Sequence, residues 1–189
     1  MNIAIVGATG NVGRKTLEVL EKKKISIENL YLVASPKSAG KKIKFQGKEI
    51  EVYNLENFDF SKVKIAFFAA GGKISEKFAE KAAKYCLVID NSSFFRMDPD
   101  VPLVVPQVNS DDLNNIKKNI IANPNCSTAQ LVIALKPLHD LFVIKRIVVS
   151  TYQSVSGAGK APMDELFEQT QLVLDGKNIK ARNFTKQIA

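Results

Sequence analysis

No apolar run in this sequence approaches the ~20 residues that a membrane span requires, which excludes a transmembrane helix. The opening Met1-Asn2-Ile3-Ala4-Ile5-Val6 lacks the charged region and long apolar stretch of an export signal, so a cytoplasmic protein is expected. Cysteine is scarce: Cys86 and Cys126 are the only two in 189 residues. A single disulfide is not expected in a chain without an export signal, and both are read as free thiols. Internal repeats and low-complexity linkers are absent. The charge is +8, from 27 Lys and Arg against 19 Asp and Glu, yet no basic stretch is interleaved with aromatics and no nucleic-acid motif accompanies it. The lysines are dispersed at Lys22 to Lys24, Lys41 to Lys44, Lys117-Lys118 and Lys177 to Lys186, which describes solvated faces that attract small anions.

What is present is enough apolar material for a core, 46% of the chain, over a length that allows one domain or one plus part of a second. Residues 2 to 7 form a short, β-branched run stopped by Gly7, as a buried parallel strand does. A helix is predicted from about Val12 to Lys23, with Val12, Thr16, Val19 and Leu20 on its buried face. Further strands are predicted at Leu30 to Ala34, Ile65 to Ala69 and Leu87 to Asp90. A hairpin is predicted over Lys42 to Val52 around Gln46-Gly47, and a helix over Ser75 to Tyr85. This alternation argues for an α/β fold of Rossmann type, a doubly wound sheet.

Beyond it, Val101 to Val108 reads as an extended Pro-containing segment, Asp111 to Ile116 as a short helix and Ile120-Ile121-Ala122 as a short strand. Thr128 to Leu141 reads as a helix with Leu131, Val132, Leu135 and Leu138 buried. A β-branched run over Val143 to Val155 reads as sheet, and a helix is predicted from about Pro162 to Leu174. Asn178 to Ala189 is a basic tail. The expected boundaries are a dinucleotide-binding domain over 1–122 and the start of an incomplete α/β catalytic and dimerisation domain over 123–189.

Two features carry chemistry. The first is Gly7-Ala8-Thr9-Gly10-Asn11-Val12-Gly13 between a strand and a helix, where small residues let the backbone approach a pyrophosphate and the helix start supplies N–H groups. About 20 residues beyond such a loop an NAD site carries an acidic residue for the ribose. Here Ala34-Ser35-Pro36-Lys37-Ser38-Ala39-Gly40-Lys41-Lys42 has no carboxylate, and its hydroxyls and ammonium groups suit a 2′-phosphate, favouring NADP.

The second is Cys126 in Asn123-Pro124-Asn125-Cys126-Ser127-Thr128. A helix N-terminus favours a thiolate there, and its N–H groups suit the oxyanion formed on attack at a carbonyl. Cys86, at an apolar strand start, is read as core. A cysteine nucleophile needs a base. The sole histidine, His139, lies toward the far end of the same helix, roughly 20 Å away at 1.5 Å per residue, and is given a surface or helix-capping role.

Six blocks in one order resemble aspartate-semialdehyde dehydrogenase: Gly7 to Gly13; Ser35 to Lys41; Asp90-Asn91-Ser92-Ser93 with Arg96-Met97-Asp98; Val101 to Pro106; Asn123 to Thr128; and Ser150-Thr151-Tyr152-Gln153 with Ser156-Gly157-Ala158-Gly159. The resemblance implies NADP-dependent interconversion of L-aspartyl 4-phosphate and L-aspartate 4-semialdehyde through a thioacyl enzyme, in lysine (diaminopimelate), threonine and methionine biosynthesis. It implies Cys126 as nucleophile, Gln153 and Asn125 positioning substrate and thioester, and Arg96 holding phosphate. It also implies cofactor contacts from Gly7, Thr9, Gly10, Asn11, Val12, Gly13, Ser35, Lys37, Ser38, Gly71, Gly72, Ser156 and Gly157. It implies no metal, and a homodimer or dimer of dimers at full length.

Departures accompany it. The family's catalytic histidine and second substrate arginine lie in a later segment, so the chain resembles the N-terminal half to two-thirds of the enzyme, and weak or no turnover is expected from it alone. Ala69-Ala70-Gly71-Gly72-Lys73 replaces the serines usual beside the glycine pair, and Gln107 stands where glutamate is usual. An N-acetyl-gamma-glutamyl-phosphate reductase is the enzymatic alternative, disfavoured because such enzymes usually carry Gly-Cys-Tyr-Pro where this chain has Asn125-Cys126-Ser127-Thr128. A dinucleotide-binding fragment without chemistry is the non-enzymatic one.

Overall fold

The computed structural model describes residues 1–189 and contains two compact units, Met1–Ile147 and Val148–Ala189. The first is built on one seven-stranded sheet whose strands are β1 Ile3–Val6, β2 Leu30–Ala34, β3 Lys42–Phe45, β4 Lys48–Asn54, β5 Ile65–Phe68, β6 Leu87–Asp90 and β7 Ile120–Ala122. Their spatial order is β3-β4-β2-β1-β5-β6-β7. All pairings are parallel except the β3–β4 hairpin, which turns at Gln46-Gly47. Strand β1 is fully buried along its length because both faces of the sheet are covered there.

The covering helices lie on opposite faces, which makes the sheet doubly wound. Helix α1, Asn11–Lys22, buries Gly13, Leu17 and Leu20 in one core with Ile5, Leu32, Ala34, Ile43 and Phe45. Helix α2, Gly72–Ala83, buries Phe78, Ala79, Ala82 and Ala83 in the other, with Ala4, Val6, Ala66, Phe68 and Val88. Successive β1 residues alternate between these cores, as strand side chains do. A side chain such as Phe78, deprived of its contacts by truncation to Ala, costs about 3–5 kcal/mol.

The expected face of α1 was misphased. Gly13, Leu17 and Leu20 form the buried stripe, because only a glycine in the first turn lets the helix lie this close to the Gly7-Ala8 turn after β1. Val12 and Val19 are exposed instead. With Lys15, Thr16 and Leu20 they line an open cleft of about 420 Å³ floored by Phe67, Ile89, Asn91 and Asn123. The segment 101–108 is extended only to Val105: Leu103 bridges Ala122, and Pro106, whose fixed φ suits a first helical position, opens the short α3, Pro106–Asn109. A 3₁₀ stretch, Ser110–Asn115, stands where a short helix was expected.

Helix α4, Cys126–Phe142, has no fully buried residue; Leu131, Val132 and Leu135 are half-buried and Leu138 is exposed. No strand forms over 143–155. Its β-branched composition suits a pleated, half-buried surface, but a strand exists only through a hydrogen-bonded neighbour, and none pairs with it. In the second unit a 3₁₀ turn, Val155–Ala158, precedes α5, Lys160–Leu174. The tail that follows is tied to α5 by two fully buried polar residues, Glu165 and Gln169. Glu165 accepts from the Arg182 and Asn183 main-chain N–H groups, each at 2.7 Å, and Gln169 accepts from Ile188 N at 2.9 Å.

Candidate active site

The carboxyl ends of the parallel strands form one edge of the first unit, and chain order reverses at β1, with β2 on one side and β5 on the other. A crevice at such a switch point is where open α/β sheets bind ligands. After β1, Gly7 adopts φ +87°, and a Cβ on it would stand 2.6 Å from the Ala69 carbonyl oxygen. A Cβ on Gly13 would stand 2.3 Å from the Gly7 oxygen. Both glycines are therefore required by backbone packing as well as by any ligand. Gly10 is the N-cap of α1, and no side chain caps that helix.

After β2, Ser35 leads into the 3₁₀ turn Pro36–Ser38, with Ser35 and Lys37 exposed and no carboxylate from Ser35 to Lys42. After β5, Gly71 takes φ +86° as the N-cap of α2, followed by Gly72. Thus Gly7, Thr9, Gly10, Asn11, Val12, Gly13, Ser35, Lys37, Ser38, Gly71 and Gly72 all come to one edge. The small side chains, the uncapped helix start and the hydroxyl and ammonium groups fit a phosphorylated dinucleotide.

The ends of β6 and β7 complete this edge. Arg96 is half-buried and held by main-chain carbonyls: Nε donates to Asn123 O at 2.9 Å and Nη2 to Asn91 O at 3.1 Å. Cys126 is exposed and is the first residue of α4. Asn125 caps this helix, its Oδ1 accepting from Ser127 N at 2.9 Å and from Ser127 Oγ at 2.6 Å. The Cys126 thiol donates to the same oxygen at 3.8 Å. Asn125 thus fixes the turn that presents the sulfur.

Cys86 is buried and donates to Ala82 O at 3.4 Å, and burial pushes its thiol up to about 11. His139 is exposed on the last turns of α4 and lines a cavity of about 300 Å³ with Val108, Val132, Leu135 and Ile147. Gln153, Ser156 and Gly157 belong to the second unit, where the Gln153 side chain lies against Gly157: a Cβ there would meet Gln153 Nε2 at 2.2 Å.

Residue patterns alone did not single out the polar lattice beneath this edge. Asp90 is fully buried and bonded to Ser75 and Ser92, and Asn123 Nδ2 donates to Asn91 Oδ1 at 2.8 Å. An acidic residue closing an apolar strand, followed by Asn and two Ser, was the available signal.

Residues 2–116 match the family described as semialdehyde dehydrogenase, NAD binding domain, and residues 135–189 match semialdehyde dehydrogenase, dimerisation domain. Aspartate-semialdehyde dehydrogenase 2 of Vibrio cholerae is 52% identical over 190 residues, covering 100% of this chain and 56% of the relative. The crystal structure of aspartate semialdehyde dehydrogenase II from Vibrio cholerae complexed with ASA superposes with a TM-score of 0.93 at 52% identity, covering 100% of this chain and 56% of that one. Aspartate semialdehyde dehydrogenase with NADP from Candida albicans gives a TM-score of 0.62 at 27% identity over 76% of this chain and 48% of that one. The chain spans about half the length of these relatives. It belongs to the semialdehyde dehydrogenase family, corresponding to the N-terminal portion of an aspartate-semialdehyde dehydrogenase: the Rossmann-like NAD(P)-binding domain and part of the dimerisation domain.

Proposed function

We propose that this chain carries the nucleotide site and the nucleophile of a cytoplasmic enzyme that interconverts L-aspartyl 4-phosphate and L-aspartate 4-semialdehyde with NADP, in lysine, threonine and methionine biosynthesis. The observation that carries this reading is the common edge. Strands lie about 4.8 Å apart, so the end of β7 with Cys126 is about 14 Å, three strand spacings, from the end of β1 with its glycine loop. The loops after β1, β2 and β5 would hold the dinucleotide on the same edge that carries β6 and β7.

Bound there, NADP supplies the hydride acceptor, or NADPH the donor. Gly7 to Gly13 would hold its pyrophosphate, Ser35, Lys37 and Ser38 its 2′-phosphate, with Gly71 and Gly72 beside them; the resemblance assigns further contacts to Ser156 and Gly157. The Cys126 thiol gives its proton to solvent and, as the thiolate, attacks the carbonyl carbon of the acyl phosphate; the new C–S bond forms, the C–O bond to phosphate breaks, and phosphate leaves as the anion. Arg96 holds that phosphate, a role suited to a planar cation already fixed on two carbonyls. Asn125 positions the substrate and thioester, a role the resemblance also assigns to Gln153. The chain's sole histidine is a helix length from Cys126, so no imidazole serves as base and turnover by this chain alone is weak. A homodimer or dimer of dimers is the assembly this reading implies for the full-length enzyme.

Intact-mass spectrometry tests the proposal. Aspartyl phosphate is expected to add one aspartyl group to the chain with release of one phosphate, and Cys126→Ala to abolish both. Acylation that persists in Cys126→Ala, or N-acetylglutamyl phosphate acylating Cys126 faster, contradicts it.

A further inference from the structure

Asp90 ends β6 with its side chain entirely out of solvent, and its partners are serines and main chain rather than a cation. Its Oδ1 accepts from Ser75 Oγ at 2.7 Å and from Ser92 N at 3.0 Å, and its Oδ2 accepts from Ser92 Oγ at 2.7 Å. These partners stand on different elements, a helix and a loop. Ser75 lies in the first turn of α2, where its own N–H donates to the carbonyl of Gly71 at 3.2 Å, within the nucleotide edge. Ser92 opens the loop that carries Arg96, and its Oγ accepts in turn from Phe94 N at 3.1 Å.

The same loop is tied to the cysteine turn. The Asp90 carbonyl accepts from Asn123 N at 2.8 Å, and Arg96 bridges the Asn91 and Asn123 carbonyls. Of the five N–H donors of a guanidinium, these bonds occupy two, and Arg96 makes no ion pair within the chain. Its remaining donors have a direction only because the loop has one, and three hydrogen bonds to one buried carboxylate set that direction. An amide at position 90 would turn a donor toward a hydroxyl or N–H and break the pattern.

We infer that Asp90, through Ser92, is a positioning residue that sets the Arg96 guanidinium for anion capture beside Cys126, and through Ser75 ties that setting to the first turn of α2. This rests on the reading of Arg96 as the phosphate holder. Asp90 itself touches no substrate.

Inorganic phosphate and the full chain provide the test, read as the slowing of Cys126 alkylation by iodoacetamide. Asn123, whose carbonyl anchors Arg96, is three residues from Cys126, at most about 10 Å along the chain, so an anion held there shields the sulfur. Ser92→Ala deletes the Oδ2 bond while keeping the Ser92 main-chain bond to Oδ1. It is expected to weaken phosphate protection about five- to tenfold with NADP affinity unchanged, and to lower the melting temperature because a buried carboxylate loses a partner. Ser92→Thr, which keeps the hydroxyl, is expected to restore protection. Ser75→Ala breaks the same carboxylate from the α2 side and reads the same way should Ser92→Ala lose its fold. Protection within twofold of the parent in the folded variant, or a loss matched by an equal loss of NADP affinity, overturns the inference. A parent chain that phosphate does not protect overturns the Arg96 assignment and this inference with it.

Discussion

A Cβ on Gly13 would stand 2.3 Å from the Gly7 carbonyl oxygen, whereas one on Gly72 would meet nothing closer than the Phe94 Cβ at 3.9 Å. Gly13→Ala is therefore expected to destabilise the first unit by about 1–3 kcal/mol, as overpacking does, and to weaken NADP binding, while Gly72→Ala leaves stability within about 0.5 kcal/mol of the parent. Thermal denaturation of the two variants checks this; equal effects would contradict the packing account. The two thiols are distinguished in the same way, by environment. Cys126 is exposed, whereas Cys86 is buried with its thiol pushed up to about 11. At neutral pH iodoacetamide is expected to label Cys126 alone in the native chain and both after unfolding, as peptide mapping will show; native labelling of Cys86 at a comparable rate would contradict the buried placement. The glycine loop and Cys126 were legible because each couples a residue type to a strand–helix junction. Asp90 was legible only as part of the Asp90-Asn91-Ser92-Ser93 block; its burial depends on Ser75, Ser92 and the covering elements, which the block does not state.

At the scale of elements, α4 closes on Val143 in the left-handed region at φ +53°. A β-branched residue there is strained, and left-handed geometry costs an L-residue about 1–2 kcal/mol. Val143→Gly is expected to raise the melting temperature, measured by calorimetry, and a fall would show that the valine side chain matters more than its backbone. Around α5, Glu165 binds the tail. Burial alone would raise its carboxyl; the Arg182 and Asn183 main-chain donors, the Asn183 amide and the charge of Arg182 outweigh burial and hold it below the ordinary carboxylate value. A depressed carboxyl stabilises the folded arrangement above its unfolded value, near 4.3, and that contribution is lost as pH falls through the folded value. Amide exchange over 178–189 is expected to accelerate as pH is lowered through this range, after correction for intrinsic rates, and Glu165→Gln to remove the pH dependence. Unchanged exchange would contradict it.

The same scale explains what the sequence reading missed. Strands β1 to β7 were legible because short runs between turn residues have partners within the first unit. The run over 143–155 has the same composition and no partner, and periodicity carries no information about that. The face of α1 was misread because Val12, Thr16, Val19 and Leu20 repeat as regularly as Gly13, Leu17 and Leu20, and only the strand beneath α1 decides between them.

At the largest scale, the second unit leaves Val148, Val149 and Tyr152 81%, 56% and 100% exposed. Exposed apolar side chains of this kind favour association. Association on this segment is expected to strengthen with sulfate and to be reduced in Val148→Lys, as sedimentation will show; a monomer under all conditions would contradict it.

The central claim is that the nucleotide loops and Cys126 share one edge and serve one reaction. The rate of Cys126 alkylation, measured with rising NADP, tests it most directly. The account predicts saturable slowing at Cys126 that is weakened in Gly13→Ala. NADP binding by calorimetry with an unchanged Cys126 rate would contradict it.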